Sequence, residues 1–232
     1  MTRRLVLFDI DGTLLLSGGA GRRAIMAAMH DLLPAGEGYE AVRFDGKTDP
    51  QIVTELLEAG GDPAPRDPER IALVLERYVA LLHQELAGGG RPATAMPGVF
   101  ALLQALEERT DTVLGLLTGN VLTGARLKLQ AARIDPDRFR VGAFGSDSAH
   151  RPDLPPIAAE RAAAIFGRIP AGEEVVIIGD TPADVTCGTA IGARAIAVAT
   201  GSYTEADLAA HGPWRTFGDL SATDAVLEAI LS

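Results

Sequence analysis

Cysteine is nearly absent from this chain: its 232 residues contain one, Cys187. No intramolecular disulfide can form and no zinc site of several cysteines exists, which suits a reducing compartment and points to a cytoplasmic protein. Histidine is also scarce, and His30, His83, His150 and His211 are scattered without metal-ligand spacing. Positive charge is in deficit, with 21 Lys and Arg against 31 Asp and Glu, a formal net charge of −10 and a pI near 4.9. Nucleic acids and anionic membranes attract basic surfaces, so neither is expected as a partner. Long apolar runs are missing too, and no stretch of roughly 18 or more uncharged apolar residues is available to span a bilayer. Arg3 and Arg4 ahead of an apolar segment resemble a secretory signal, but Asp9 and Asp11 interrupt it. What remains is the expectation of a soluble protein, with 47% hydrophobic residues to build its core.

Short apolar runs bounded by Gly, Asp or Asn are abundant: LVLF at 5–8, TVLGLL at 112–117, VVIIG at 175–179 and RAIAVA at 194–199. Their continuous hydrophobicity predicts strands covered on both faces, as in a parallel sheet between helices. Helical patterns lie between and after them, at 99–108, 121–132, 154–166, 182–191 and 222–231. This alternation predicts an α/β fold, a doubly wound Rossmann-like parallel sheet.

One interval breaks the alternation, because 17–92 contains helical patterns and no convincing strand. The reading is a Rossmann-like core of 1–16 and 93–232, with an inserted all-helical cap domain at 17–92. Ile71, Val74, Leu75, Tyr78, Leu81, Leu82 and Leu86 form an apolar stripe at helical spacing, and Asp67-Pro68 supplies a cap and first-turn proline. Asp49 before Pro50 and Gly60-Gly61 mark the ends of a second helix. The flanks LSGGAG and AGGGRPATAMPG are rich in small residues and are read as paired hinges.

Asp9 and Asp11 stand where the first strand ends, the place where ligands gather in open α/β sheets. Carboxylates at i and i+2 lie on one side of an extended segment and can share a metal ion or one substrate. A simple turn is the bland alternative. Two further strand ends weaken it: LLTGN brings Thr118, Gly119 and Asn120, and VVIIGDTPAD brings Asp180 and Asp184. Three strand ends thus carry polar residues suited to one pocket.

These stretches resemble the haloacid dehalogenase-like superfamily, specifically its phosphoglycolate-phosphatase-like members, over nearly the whole chain. DIDGT at 9–13 matches the first motif, Thr118 in LLTGN the second and GDTPAD at 179–184 the fourth; the insertion matches a mobile cap. The resemblance implies that Asp9 attacks phosphorus and becomes an aspartyl phosphate, while Asp11 protonates the leaving oxygen and later activates water. It further implies Mg²⁺ held by Asp9, Asp11 and Asp180, with Asp184 behind them. Thr118, Gly119 and Asn120 would cradle the phosphate ahead of a helix. The third motif usually supplies lysine; here Arg151 is expected in that role, and a surface ion pair is its alternative. Lys128 has suitable chemistry, but two turns along a helix place it roughly 10 Å from the phosphate end. Lys47, in FDGKTDPQI, is a candidate substrate contact whose alternative is a solvated helix start.

The implied activity is a Mg²⁺-dependent phosphatase acting on a small phosphorylated metabolite, with 2-phosphoglycolate leading, as monomer or homodimer. A β-phosphoglucomutase-like mutase shares the motifs and stays open. A non-catalytic phosphoacceptor, like response-regulator receivers, fits less well because receivers are about half this length and lack a helical lid.

Overall fold

The computed structural model describes residues 3–32, 38–88 and 90–232. In chain order the elements are β1 (Arg4–Phe8), β2 (Leu15–Leu16), α1 (Ala20–Leu32), α2 (Asp49–Ala59), α3 (Pro68–Ala87), β3 (Thr94–Ala95), α4 (Val99–Glu107), β4 (Thr112–Thr118), α5 (Leu122–Ala131), β5 (Val141–Phe144), α6 (Leu154–Phe166), β6 (Val175–Gly179), α7 (Pro182–Cys187), β7 (Arg194–Val198), α8 (Glu205–Ala209), β8 (Arg215–Phe217) and α9 (Thr223–Leu231). Six strands form one parallel sheet in the order β5-β4-β1-β6-β7-β8. The α/β expectation is met.

The continuous apolar runs follow from the two-residue period of a strand with both faces covered. Val6 and Phe8 of β1 and Val176 and Ile178 of β6 point into a cluster with residues of α4, α5 and α9. Leu5, Leu7, Val175 and Ile177 point the other way, onto Leu154, Ala158 and Ala162 of α6 and Cys187 of α7. Fully burying each of the larger side chains contributes about 1.5–3 kcal/mol.

The chain leaves β1 through β2, runs through α1, α2 and α3, and returns through β3. β2 and β3 form a two-residue antiparallel ladder, Leu15 opposite Ala95 and Leu16 opposite Thr94, so Leu16, Thr94 and Ala95 of the expected hinges are in strands. The interval between them has its own core, in which Ile25 and Met29 of α1, Leu56 and Leu57 of α2, and Val74, Tyr78 and Leu82 of α3 are buried together. The i, i+4, i+8 spacing of those last three is the predicted stripe. Asp67 caps α3, accepting from the Glu69 N–H at 3.0 Å.

Several boundaries differ from expectation. Thr48, not Asp49, caps α2, its hydroxyl accepting from Gln51 N–H at 3.2 Å. The pattern at 182–191 breaks into α7 and a 3-10 turn at Thr189–Ile191. β5 and β8, of four and three residues, were too short to stand out as apolar runs. Among the described residues no helix is long and apolar enough to cross a membrane.

Candidate active site

The chain passes from β1 to β4 on one side and later to β6 on the other, so the carboxyl ends of β1, β4 and β6 lie side by side. That is the topological switch point of the sheet. Asp9 follows β1 and its N–H donates to the Ile178 carbonyl at 2.9 Å. Gly12 then turns with φ +85°, and a Cβ there would lie 2.3 Å from Oδ2 of Asp180. Glycine is therefore required twice, for the turn and for the close approach. The Thr13 hydroxyl donates to Oδ1 of Asp180 at 3.0 Å.

Asp184 sits in the first turn of α7 in a capping box: its Oδ2 accepts from Thr181 N–H at 3.0 Å and Thr181 Oγ1–H at 2.6 Å. Its other oxygen meets Arg151. The same Arg151 nitrogen donates to Oδ1 of Asp9 at 3.0 Å, and the residue is 5% exposed. A surface ion pair is thus excluded for Arg151.

Carboxylate oxygens of Asp9, Asp180 and Asp184 lie within 4.8 Å of one another, and all three residues are buried. Burial and the neighbouring Asp184 push the Asp9 carboxyl up to about 7, with Arg151 pulling the other way. Burial, Asp184 and Asp9 push Asp180 up to about 9. One guanidinium does not compensate three buried carboxylates, so the cluster is poised to accept further positive charge.

Lys128 corrects the sequence reading. Its Nζ donates at 2.6 Å to Oδ2 of Asp11 and at 2.6 Å to Oδ1 of Asn120, and the residue is 5% exposed. The estimate of roughly 10 Å counted helix rise alone. Side chains on a helix lean toward its N-terminus, and the long lysine stem spans the remaining gap. Burial alone would lower the Lys128 pKa, but Asp11 with Tyr78 and Asp49 more than offsets it and holds the ammonium above its usual range. Asn120 also donates from Nδ2 to Oδ2 of Asp11 at 2.8 Å and to Thr118 Oγ1 at 2.7 Å.

The insertion reaches the same place. Asp49, buried at the start of α2, accepts from the Val121 N–H at 2.8 Å, and its own N–H donates to the Gly119 carbonyl at 2.7 Å. Burial raises Asp49 to about 6, against the pull of Lys128 and the Val121 N–H. Thr48 Oγ1–H donates to the Ala149 carbonyl at 2.7 Å. A cleft of about 450 Å³ opens between insertion and sheet, with Asp9, Asp11, Thr118, Gly119, Asn120, Arg151 and Asp180 on one side and Lys47, Arg22 and Phe44 on the other. Lys47 is paired with Glu55 of α2. Arg22 lies over the Phe44 ring at 4.5 Å and has no carboxylate within salt-bridge distance among the described residues.

The sequence reading missed Asp49 as a site neighbour because it looked like a helix cap, and missed Tyr78 because it looked like core. Cys187 is buried: its thiol donates to the Asp184 carbonyl at 3.4 Å, and burial raises it to about 12.

Residues 3–192 match the haloacid dehalogenase-like hydrolases. The chain is 28% identical over 212 residues to the probable phosphatase IndB of Dickeya dadantii, covering 90% of this chain and 86% of that one. Among solved structures it is similar to one from Haemophilus somnus described as a predicted phosphoglycolate phosphatase, with a TM-score of 0.72, 18% identity and 97% and 98% of the two chains covered. CbbY from Rhodobacter sphaeroides, in complex with phosphate, superimposes with a TM-score of 0.69 at 24% identity, covering 95% and 96%. These two likenesses establish the shared fold.

Proposed function

The chain belongs to the haloacid dehalogenase-like hydrolases, and within that family we propose that it is a Mg²⁺-dependent phosphatase of a small phosphorylated metabolite. The observation that carries this reading is the buried cluster of Asp9, Asp180 and Asp184 beside Asp11 at the switch point of the sheet. The IndB relative, named a probable phosphatase, supports the reaction class, and the phosphate in the structure of the structurally similar CbbY supports the ligand. Residues 17–92 act as a cap over a core of 1–16 and 93–232.

A divalent cation fits the residues present: the donors are hard carboxylate oxygens, buried, close together and short of positive charge. Asp9, Asp180 and the Asp11 backbone carbonyl would hold it. Asp184 stays behind, since its two oxygens are engaged by Arg151 and Thr181. When bound, Mg²⁺ supplies the positive charge that lets a phosphate dianion approach a carboxylate.

The chain's own residues do the rest. One oxygen of Asp9 attacks phosphorus and the bond to the leaving oxygen breaks, giving an aspartyl phosphate. Asp11 gives its proton to that oxygen. The same carboxylate then takes a proton from water, which attacks phosphorus and releases inorganic phosphate with Asp9 restored. Arg151 holds Asp9 in place and faces the phosphoryl oxygens, with Thr118, Gly119 and Asn120 around them. Closure of the cleft by the insertion keeps water out until the second step.

We place 2-phosphoglycolate first among substrates. Arg22, a cation on the far wall without a carboxylate partner among the described residues, suits a leaving group that carries a second anion. Lys47 would contact the leaving group by exchanging its bond to Glu55. The test is phosphate release from a panel headed by 2-phosphoglycolate, with Mg²⁺ or chelator, for native protein and Asp9→Asn. Metal-dependent release lost in the variant is expected. Turnover by Asp9→Asn at the native rate would overturn the reading, and an isomerised sugar phosphate without net release would assign a mutase.

A further inference from the structure

Asp11 is held from one side only. Its Oδ2 accepts from Lys128 Nζ at 2.6 Å and from Asn120 Nδ2 at 2.8 Å, while Oδ1 has no hydrogen bond among the described residues. The Asp11 side chain is 39% exposed and lines the cleft. A carboxylate turns easily about its last torsion, so a free aspartate would present either oxygen in a range of directions. Two donors on Oδ2 remove that freedom and leave Oδ1 as the oxygen that exchanges a proton.

Lys128 is in turn held from the insertion. An ammonium has three donors. Asp11 and Asn120 take two, and the third is available to the hydroxyl of Tyr78 on α3, which shares one small space with the ammonium: a Cβ at Gly21 would lie 3.8 Å from that hydroxyl and 3.2 Å from Nζ. Tyr78 is 1% exposed. On α1, Gly21 leaves the room the lysine needs, since a Cβ there would lie 3.2 Å from Nζ and 3.4 Å from Cε. Besides Asp11 and Asn120 of the core, the described neighbours of the Lys128 head group, Tyr78 of α3, Gly21 of α1 and Asp49 at the start of α2, belong to the insertion.

We propose that Lys128 is a positioning residue that aims Asp11 at the leaving oxygen, and that Tyr78 and Gly21 make this aim depend on the insertion being seated on the core. The inference rests on the role given to Asp11 above and goes beyond it by naming what sets its geometry. Docking of the insertion then completes the acid–base group as well as excluding water, so proton transfer is suppressed while the cleft is open.

Leaving-group dependence tests this, because a nitrophenolate departs without a proton and an alkoxide does not. kcat/KM is measured for p-nitrophenyl phosphate and for 2-phosphoglycolate, with Mg²⁺, in native protein, Asp11→Asn, Lys128→Met and Tyr78→Phe. Lys128→Met is expected to lose about tenfold or more on the alkyl ester and less than about threefold on the aryl ester. Tyr78→Phe, which removes one oxygen and serves if Lys128→Met does not fold, should lose about threefold on the alkyl ester alone. A merely structural lysine would lower both esters together. Equal loss on both, or no loss on either, in a folded variant overturns the proposal. If Asp11→Asn itself shows no preference between the esters, the role of Asp11 fails, and this inference falls with it; native protein that hydrolyses neither ester overturns the phosphatase reading first.

Discussion

Arg151 and Lys128 each bury a positive charge beside one member of the Asp9–Asp11 pair, yet they are held in different ways. Arg151 is held within the core: its partners Asp9 and Asp184 follow β1 and sit on α7, and no described residue of the insertion pairs with it. Lys128 starts from the core helix α5 but ends under Tyr78 and Gly21 of the insertion. The first arrangement is complete whenever the sheet is folded. The second is complete only when the two parts of the chain are together, so the aspartate assigned to attack is fixed permanently and the one assigned to move protons is fixed conditionally.

The comparison is broken most severely at its permanent end. Asp9→Asn keeps the shape of the side chain and removes the attacking charge; phosphate release should fall by about a thousandfold or more, measured at saturating Mg²⁺. Arg151→Met strands Asp9 and Asp184 without their cation in a buried site. Removing one partner of such a group costs about 3–5 kcal/mol, to be read from urea unfolding, and added Mg²⁺ should restore part of it.

A smaller effect separates the two arrangements by pH. Asp9 and Asp180 bind protons up to about 7 and about 9 in the folded chain, above the ordinary carboxylate range. Metal-free protein is therefore favoured by these groups near pH 4 and loses that stability as pH rises through 7 toward 9. The expected melting temperature, attributed to these groups, falls from pH 5 to pH 9 in chelator, and Mg²⁺ raises it more at pH 8 than at pH 5. A chelated protein with no such fall would remove the argument for an undercompensated cluster.

Smallest is the effect at the insertion. Thr48→Ala deletes the α2 cap and the bond to the Ala149 carbonyl, and should cost about 1 kcal/mol in thermal or urea unfolding. Gly21→Ala sharpens the comparison further. It should slow 2-phosphoglycolate hydrolysis severalfold while leaving unfolding of the core nearly unchanged, because the crowded neighbour is the Lys128 head group.

The contrast also explains what the sequence disclosed. β1, β4, β6 and β7 were legible because a strand buried on both faces must be apolar throughout, as LVLF and VVIIG are. Asp9, Asp11 and Asp180 were legible because each stands at or just past the end of such a run. Arg151 was placed by resemblance to the family's third motif. Lys128 was displaced because distance was counted along the helix axis and the reach of its side chain was left out. Tyr78 fell within an apolar stripe, where a hydroxyl near a lysine leaves no periodic signature. Asp49 looked like the cap that Thr48 turned out to be. Contacts made across the insertion join residues far apart in the chain, and no local pattern marks them.

The central claim, that Asp9 carries the phosphoryl group, is tested most directly by acid-quenching the enzyme during turnover of 2-phosphoglycolate, or of the best ester in the panel. The peptide containing Asp9 is then weighed by mass spectrometry. The account predicts the mass of one phosphoryl group on that peptide, labile to hydroxylamine and absent from Asp9→Asn. A phosphoryl group on another residue, or turnover with no phosphorylated peptide under conditions that trap acyl phosphates, would contradict it.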